Sequence, residues 1–148
     1  MVKRIYVLLS VFFFLAAGAT SLYAADPDAV LGLWLTKQEP EATQIEIVKC
    51  GDKYCGKVAW TKNTDALDKE NPDESLRSRK IVGLNMIYDF TFDADDNRWI
   101  DGFIYNPEDG KTYDCRMWLE DATTLKVKGT VGPKWMGIGK TVTWFRKN

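Results

Sequence analysis

The sequence contains no histidine and only three cysteines among its 148 residues. Without histidine, a Ser–His–Asp or Cys–His catalytic site is excluded, and a zinc site with imidazole ligands is excluded as well. The formal net charge is only −1 and the charges are scattered. A chain of this kind is a poor partner for nucleic acid or an anionic membrane. We therefore predict no nucleic-acid partner, no bound metal and no cofactor.

Residues 1–24 have the pattern of a bacterial Sec-type signal peptide. Lys3 and Arg4 form a positive segment, and an apolar run of 13 residues follows it. This run is shorter than the roughly 20 residues of a membrane-spanning helix, so a cleaved leader is favoured over an uncleaved anchor. No later apolar run is long enough to span a bilayer. Cleavage after Ala24 or Ala25 gives a periplasmic or secreted protein with one domain, residues 25–148.

The three cysteines divide into a close pair and a single residue. Cys50 and Cys55 flank a turn-like tetrad, and an exported protein enters an oxidising compartment where such a pair closes. We predict a disulfide between them. The alternative, half of a metal site, is disfavoured because the chain has no histidine and only one other cysteine. Cys115 is left over, and we interpret it as a small buried hydrophobic residue on a strand.

Apolar and polar residues alternate along most of the chain, which is the pattern of half-buried strands. Turn signals such as Asn106-Pro107 and Gly110 separate these segments. The pattern predicts an all-β fold, an eight-stranded antiparallel up-and-down barrel with one long loop or short helix between strands 3 and 4. In the long connection, residues 63–80, Asp73 is the expected cap of a short helix. The predicted strands are residues 32–37, 43–50, 55–61, 83–92, 98–105, 111–119, 123–131 and 140–146.

The alternation also predicts which side chains face the barrel interior. In the fourth predicted strand, the expected apolar face contains Leu84, Met86, Tyr88, Phe90 and Phe92. In the fifth strand, Asp101 is expected on the same face as Trp99 and Phe103, toward the interior. A carboxylate in that position needs an arginine partner, and a structural ion pair is favoured there over a catalytic acid.

The two ends of the predicted barrel resemble those of lipocalins. Gly32-Leu33-Trp34 begins the first strand, and Trp144-Phe145-Arg146 ends the last one. In lipocalins, a tryptophan of the first strand stacks under an arginine of the last strand at the closed end. The resemblance therefore implies a cation–π contact between Trp34 and Arg146 that closes the barrel.

A second resemblance covers nearly the whole mature chain. It is to a bacterial family of small secreted proteins of unknown function with a lipocalin-like (calycin-type) barrel. The resemblance implies export, a barrel and an apolar ligand, and it transfers no catalytic residue. The matching segments are GLW at 32–34, CGDKYCGK at 50–57, NPD at 71–73, LRSR at 76–79, GL at 83–84, IYNPEDGKTY at 104–113, LKVKG at 125–129 and WFR at 144–146.

The leading hypothesis is a non-catalytic exported protein that binds a small apolar or amphipathic molecule in the barrel. Aromatic side chains are the candidate cavity lining, although aromatic stripes are more often ordinary core. Three polar side chains are a candidate clamp for an acidic head group at the barrel mouth, unless the arginines instead pair with Asp68, Asp73 or Glu74. The aromatic candidates are Trp60, Tyr88, Phe103, Tyr105, Tyr113 and Trp118, and the polar ones are Arg77, Arg79 and Asn85.

Two other functions compete with ligand binding. An apolar loop containing Trp135, Met136 and Ile138 would be costly to expose without a protein partner, which indicates a structural or interaction module of the cell envelope. Abundant carboxylates leave room for an enzyme, but we predict that the protein is not one.

Overall fold

The computed structural model describes residues 25–133 and 136–148, and they form a closed barrel of eight antiparallel strands. The predicted leader, residues 1–24, and Trp135 lie outside the described residues. The strands are β1 (Gly32–Leu35), β2 (Gln44–Cys50), β3 (Lys53–Trp60), β4 (Asn85–Asp93), β5 (Arg98–Asn106), β6 (Lys111–Asp121), β7 (Thr124–Thr130) and β8 (Gly139–Arg146), with short 3-10 turns at Pro27–Val30 and Glu74–Leu76.

Each strand pairs with the next along the chain, and β8 returns to β1 through the pairs Trp34–Arg146 and Leu35–Phe145. This meander confirms the predicted fold class, and the predicted strand ends differ from the observed ones by only a few residues. The predicted short helix is a single 3-10 turn, in which the Asp73 carboxylate accepts a hydrogen bond from the Ser75 N–H at 3.0 Å. Among the described residues, no helix is long and apolar enough to cross a membrane.

Strands β4 and β5 contain irregularities that change which residues face inward. Asp89 and Asp101 have φ values of 65° and 56°, in the left-handed region that strand residues seldom adopt. The pairing of β5 with β6 shifts between Trp99 and Gly102, which is the signature of a β-bulge. After each such residue, side chains that a strict alternation would place inside the barrel face outward, and the reverse.

The predicted faces of these two strands were therefore wrong in part. In β4, Ile87 is fully buried together with Phe90, whereas Tyr88 is half-buried. In β5, Asp101 is exposed instead of facing the interior, and Gly102 takes the inward position against the Phe90 ring. The reason is physical: a bulge adds one residue to the strand, so a strict period of two places the following side chains on the wrong face.

One end of the barrel is sealed by the segment that precedes β1. The indole N–H of Trp34 donates to the Val30 carbonyl at 2.8 Å, and the indole N–H of Trp99 donates to the Pro27 carbonyl at 3.1 Å. The Arg146 guanidinium lies 4.3 Å from the Trp34 ring centroid, which is the contact that the lipocalin resemblance implied. This end of the barrel is consequently solid core with its buried indole N–H groups satisfied.

The connection between β3 and β4, residues 61–84, folds against the outside of the barrel, and we call it the strap. Its two legs pair with each other, because Leu67 bridges to Lys80 and the Ile81 N–H donates to the Ala66 carbonyl at 2.9 Å. Gly110, in the turn between β5 and β6, has a φ of 67° and lies so close to the strap that a Cβ would stand 1.8 Å from the Glu70 carbonyl oxygen. The strap is thus fixed to the barrel wall.

The cysteines are arranged as the sequence predicted. Cys50 and Cys55 form a disulfide across the hairpin of β2 and β3. Cys115 is a free cysteine, buried in the core on β6, and burial raises the pKa of its thiol to about 12. A thiol with so high a pKa is protonated at neutral pH and is a poor nucleophile.

Candidate ligand-binding site

The end of the barrel opposite Trp34 and Arg146 contains an open cavity of about 530 Å³, which we call the cup. This volume lies within the range of pockets that hold small molecules. An interior without a cavity near ~300 Å³ would have argued against ligand binding, and the cup is larger than that. Its lining residues are Thr36, Thr43, Val58, Ile81, Met86, Ile104, Asn106, Pro107, Glu108, Tyr113, Val127, Gly129, Val131, Lys140, Val142 and Trp144.

The lower part of the cup is apolar because inward-facing strand positions there hold aliphatic residues. Val127 of β7 pairs with Val142 of β8, and Leu125 pairs with Trp144 one step deeper in the barrel. Trp144 is only 2 % exposed, so its ring closes the cup from below and separates it from the packed core. A ligand in this part of the cup would meet hydrocarbon and one indole ring.

Gly129 contributes to the volume of the cup by having no side chain. A Cβ built there would lie 3.6 Å from the Ile104 side chain and 3.8 Å from Tyr113 Cβ, which are ordinary contact distances. Its φ is outside the left-handed region, so a larger residue is sterically tolerated by the backbone. A side chain at position 129 would therefore be accommodated in contact with Ile104 and Tyr113 and would reduce the volume of the cup.

The upper part of the cup is polar. Lys140 pairs with Gly129 across the sheet, and it shares its strand face with Val142 and Trp144. Glu108 lies in the turn between β5 and β6, on the other side of the opening. The cup therefore joins an apolar floor to a rim with one cation and one anion.

The aromatic residues predicted to line a cavity are distributed over several places. Tyr113 lines the cup, and its hydroxyl donates to an Asp109 carboxylate oxygen at 2.5 Å. Tyr88 and Phe103 stack on each other at 5.5 Å between centroids, at positions that alternate with the inward residues. Trp118 lies under the Arg98 guanidinium at 5.4 Å. Trp60 is half-buried opposite Gln44 and is not among the residues that line the cup.

Tyr105 and the three predicted clamp residues lie at the strap. Arg79, Asn85, Tyr88 and Tyr105 line a shallow groove of about 390 Å³ between the strap and the outer wall. Arg77 is exposed, and its Nε donates to the Asn71 carbonyl at 2.8 Å. The structure thus brings Arg79 and Asn85 together in a groove on the outside of the barrel, and neither residue lines the cup.

Asp68 explains why Arg79 is held at the strap. Its carboxylate is 0 % exposed and accepts hydrogen bonds from Tyr105 (2.6 Å), Asn71 (2.8 Å) and Arg79 Nε (2.8 Å). Burial acts to raise the pKa of Asp68, but these hydrogen bonds outweigh it, and the pKa lies below its ordinary value. The arginine pairing with Asp68 that the sequence left as an alternative is the one present, and it fastens the strap.

Comparison with known proteins places the chain in a family. Residues 32–146 match the family described as "Uncharacterized protein conserved in bacteria (DUF2147)". The chain belongs to this family. Members of DUF2147 are conserved in bacteria, and the matched region begins at the first residue of β1 and ends at the last residue of β8.

The barrel of this DUF2147 chain is also similar to a solved structure. Protein HP1028 from the human pathogen Helicobacter pylori, described as belonging to the lipocalin family, has 25 % sequence identity and a TM-score of 0.69. The similarity covers 80 % of this chain and 82 % of that chain. Among curated proteins, none matches the chain. The comparisons confirm the expected bacterial family and the lipocalin-like fold.

The DUF2147 barrel exposes several apolar residues beside the cup. Val131, Met136 and Ile138 are 56 %, 47 % and 55 % exposed, and Val131 also lines the cup. Trp135, which the sequence places in the same apolar loop, is outside the described residues. Within the described ranges, no group of three or more cysteine or acidic side chains is placed to hold a metal ion.

Sequence reasoning missed most of the cup. The lining comes mainly from Val58, Ile104, Val127 and Val142, with Gly129 leaving space between them. Aliphatic residues on predicted strands give the same signal whether they face a cavity or a filled core. The one usable signal was Lys140, a charged residue in phase with Val142 and Trp144 on the last predicted strand.

Proposed function

We propose that this protein is an exported, non-catalytic binding protein whose cup holds a small apolar or amphipathic molecule. The observation that carries the proposal is the cup itself, about 530 Å³ of apolar-floored space inside the barrel. The lipocalin-like fold supports it, because eight-stranded barrels enclose room for one small ligand. The Cys50–Cys55 disulfide supports export, since disulfides persist in oxidising compartments.

A cup-filling variant tests the proposal. The uncharged fluorescent probe N-phenyl-1-naphthylamine is titrated into the wild-type protein and into Gly129→Leu. Leucine at 129 projects into the cup between Ile104 and Tyr113, so we expect it to weaken probe binding at least about tenfold, or ~1.4 kcal/mol. The matched control is Thr141→Leu, an exposed position on the neighbouring strand, which should leave probe affinity unchanged.

The outcome is read together with thermal unfolding, so that a misfolded variant is recognised. If Gly129→Leu folds and binds the probe as tightly as wild type, the cup is not the binding site. If wild-type protein binds no probe and carries no small molecule when purified from its own cells and weighed by native mass spectrometry, ligand binding itself is refuted.

A second candidate function is supported by the exposure of Val131, Met136 and Ile138. An apolar loop of this kind can contact another protein of the cell envelope. Because Val131 also lines the cup, the same exposure fits a rim that a ligand covers. Replacement of Met136 and Ile138 by serine separates the two functions, since loss of probe affinity favours the rim and unchanged affinity favours a protein partner.

A further inference from the structure

Lys140 is an exposed charged residue on the face of β8 that lines the cup. On β8, positions 140, 142 and 144 share one face, and this face lines the cup. Val142 and Trp144 are apolar, whereas Lys140 places an ammonium at the same inner wall. Among the described residues, Lys140 forms no ion pair. Five other lysines each pair with a carboxylate: Lys37, Lys49, Lys62, Lys80 and Lys126.

The space beside Lys140 is empty because its cross-strand neighbour is Gly129. Directly opposite cross-strand residues have their Cβ atoms about 5 Å apart, so a missing side chain leaves a gap next to the lysine stem. The gap opens onto the apolar floor formed by Val127, Val142 and Trp144. A group placed there would touch the ammonium while its hydrocarbon part lay on the floor.

The other charged group of the lining has a different setting. Glu108 and Lys140 are both exposed, but Glu108 lies in the turn between β5 and β6, whereas Lys140 is on β8, on the same strand face as Val142 and Trp144 of the cup floor. The nearby Asp109 is already occupied by the Tyr113 hydroxyl and by the Lys111 N–H. The cation on the inner wall is therefore the charge that a bound ligand would meet.

From this arrangement we infer that the cup selects amphipathic ligands with an anionic head group, such as a carboxylate, bound by Lys140 over the gap at Gly129. This inference rests on the proposed function and specifies its ligand class. A hydrogen bond to a charged group is stronger than one to a neutral group, so Lys140 should raise the affinity for an acid over the matching alcohol at least about tenfold.

Three probes of equal chain length test the inference. Dodecanoate, 1-dodecanol and dodecylammonium, each below its micellar concentration, compete with N-phenyl-1-naphthylamine for wild-type protein and three variants, Lys140→Met, Glu108→Gln and Lys57→Met. We expect wild type to prefer dodecanoate, and Lys140→Met to bind dodecanoate and 1-dodecanol equally. Glu108→Gln, which removes the other charge of the lining, should keep the preference for the acid. Lys57→Met, at an exposed position of β3 outside the cup lining, is the matched control and should leave the preference unchanged.

The results distinguish the role of Lys140 from the proposed function, ligand binding in the cup, on which it rests. If all three probes bind wild type equally, or if Lys140→Met keeps the preference for dodecanoate, the role of Lys140 is refuted and the cup remains a binding site. If Glu108→Gln rather than Lys140→Met removes the preference, the role is likewise refuted. If no probe competes and Gly129→Leu has no effect, ligand binding in the cup is refuted as well.

Discussion

Replacement of Arg146 by methionine should destabilise the barrel strongly, although Arg146 is the last residue of β8. Its guanidinium donates to three backbone carbonyls: Ala29 at 2.6 Å, Leu31 at 2.9 Å and Ala122 at 2.8 Å. It also covers the fully buried Trp34 ring at 4.3 Å. Methionine keeps most of the aliphatic stem, so the change removes mainly the charged fork.

The size of the effect follows from these contacts. The two hydrogen bonds to Ala29 and Leu31 are part-buried, and each should contribute about 1 kcal/mol net. The bond to Ala122 is exposed, so water replaces it at a cost of about 0.5 kcal/mol. The cation–π contact adds about 0.5 kcal/mol, because the guanidinium remains partly exposed. We therefore expect Arg146→Met to lower the free energy of unfolding by about 3 kcal/mol.

Urea unfolding followed by tryptophan fluorescence measures this loss. With a slope of about 1.5 kcal/mol per molar urea, a loss of ~3 kcal/mol moves the midpoint by about 2 M. The control is Lys147→Met, which removes an exposed hydrogen bond to Gln44 and should cost no more than about 0.5 kcal/mol. Equal midpoints for the two variants would show that Arg146 does not close the barrel energetically.

Three further predictions concern single buried positions. The pKa of Asp68 is lowered in the folded state, so its ionised form stabilises the fold above about pH 4, and this contribution is lost as pH falls through the folded pKa. We therefore expect Asp68→Asn to lower the free energy of unfolding by about 2 kcal/mol at pH 7, measured in urea. On acidification, this variant should lose less stability than the wild type. Burial raises the pKa of the Cys115 thiol to about 12, so the native protein should resist iodoacetamide at pH 8, whereas the protein unfolded in urea should gain one label by mass spectrometry. Rapid labelling of the native protein would contradict the burial of Cys115. Gly102→Ala would place a Cβ 2.4 Å from the Phe90 ring and should lower the free energy of unfolding by about 1–3 kcal/mol. Gly129→Ala should leave stability nearly unchanged, and equal thermal midpoints for the two variants would refute this difference.

Much of the fold could be predicted because its determinants are local. Alternation of apolar and polar residues indicated eight strands, and short turns at positions such as Gly51 and Gly110 favoured pairing of consecutive strands. The predicted pair Cys50–Cys55 lies in one hairpin, so sequence proximity implied spatial proximity. The bulged part of β5 could not be predicted, because Asp101, at a φ of 56°, lies where the pairing of β5 with β6 shifts between Trp99 and Gly102, and that pairing is not a local property of the sequence.

The candidate site was much harder to predict. Aromatic residues such as Tyr88 and Phe103 were expected in the cavity, but they stack on each other on the outer wall. A small barrel has little interior volume, and its open end is lined mainly by smaller aliphatic residues. Arg79 was expected at the mouth, yet Asp68 holds it at the strap. That pairing spans 11 residues and depends on how the strap folds back, which no local pattern encodes.

Polar side chains at the sealed end of the barrel have partners within the chain, whereas at the open end one charged side chain has no ion partner. Substitutions at the sealed end should therefore affect stability, and substitutions at the open end should affect binding. At the sealed end, the indoles of Trp34 and Trp99 and the guanidinium of Arg146 all have partners within the chain. At the open end, Lys140 has no ion partner among the described residues and Gly129 leaves apolar wall uncovered. Substitutions at opposite ends share no contacts, so their free energies should add within about 0.5 kcal/mol. Arg146→Met combined with Gly129→Leu should then show the stability loss of the first and the binding loss of the second, each unchanged by the other.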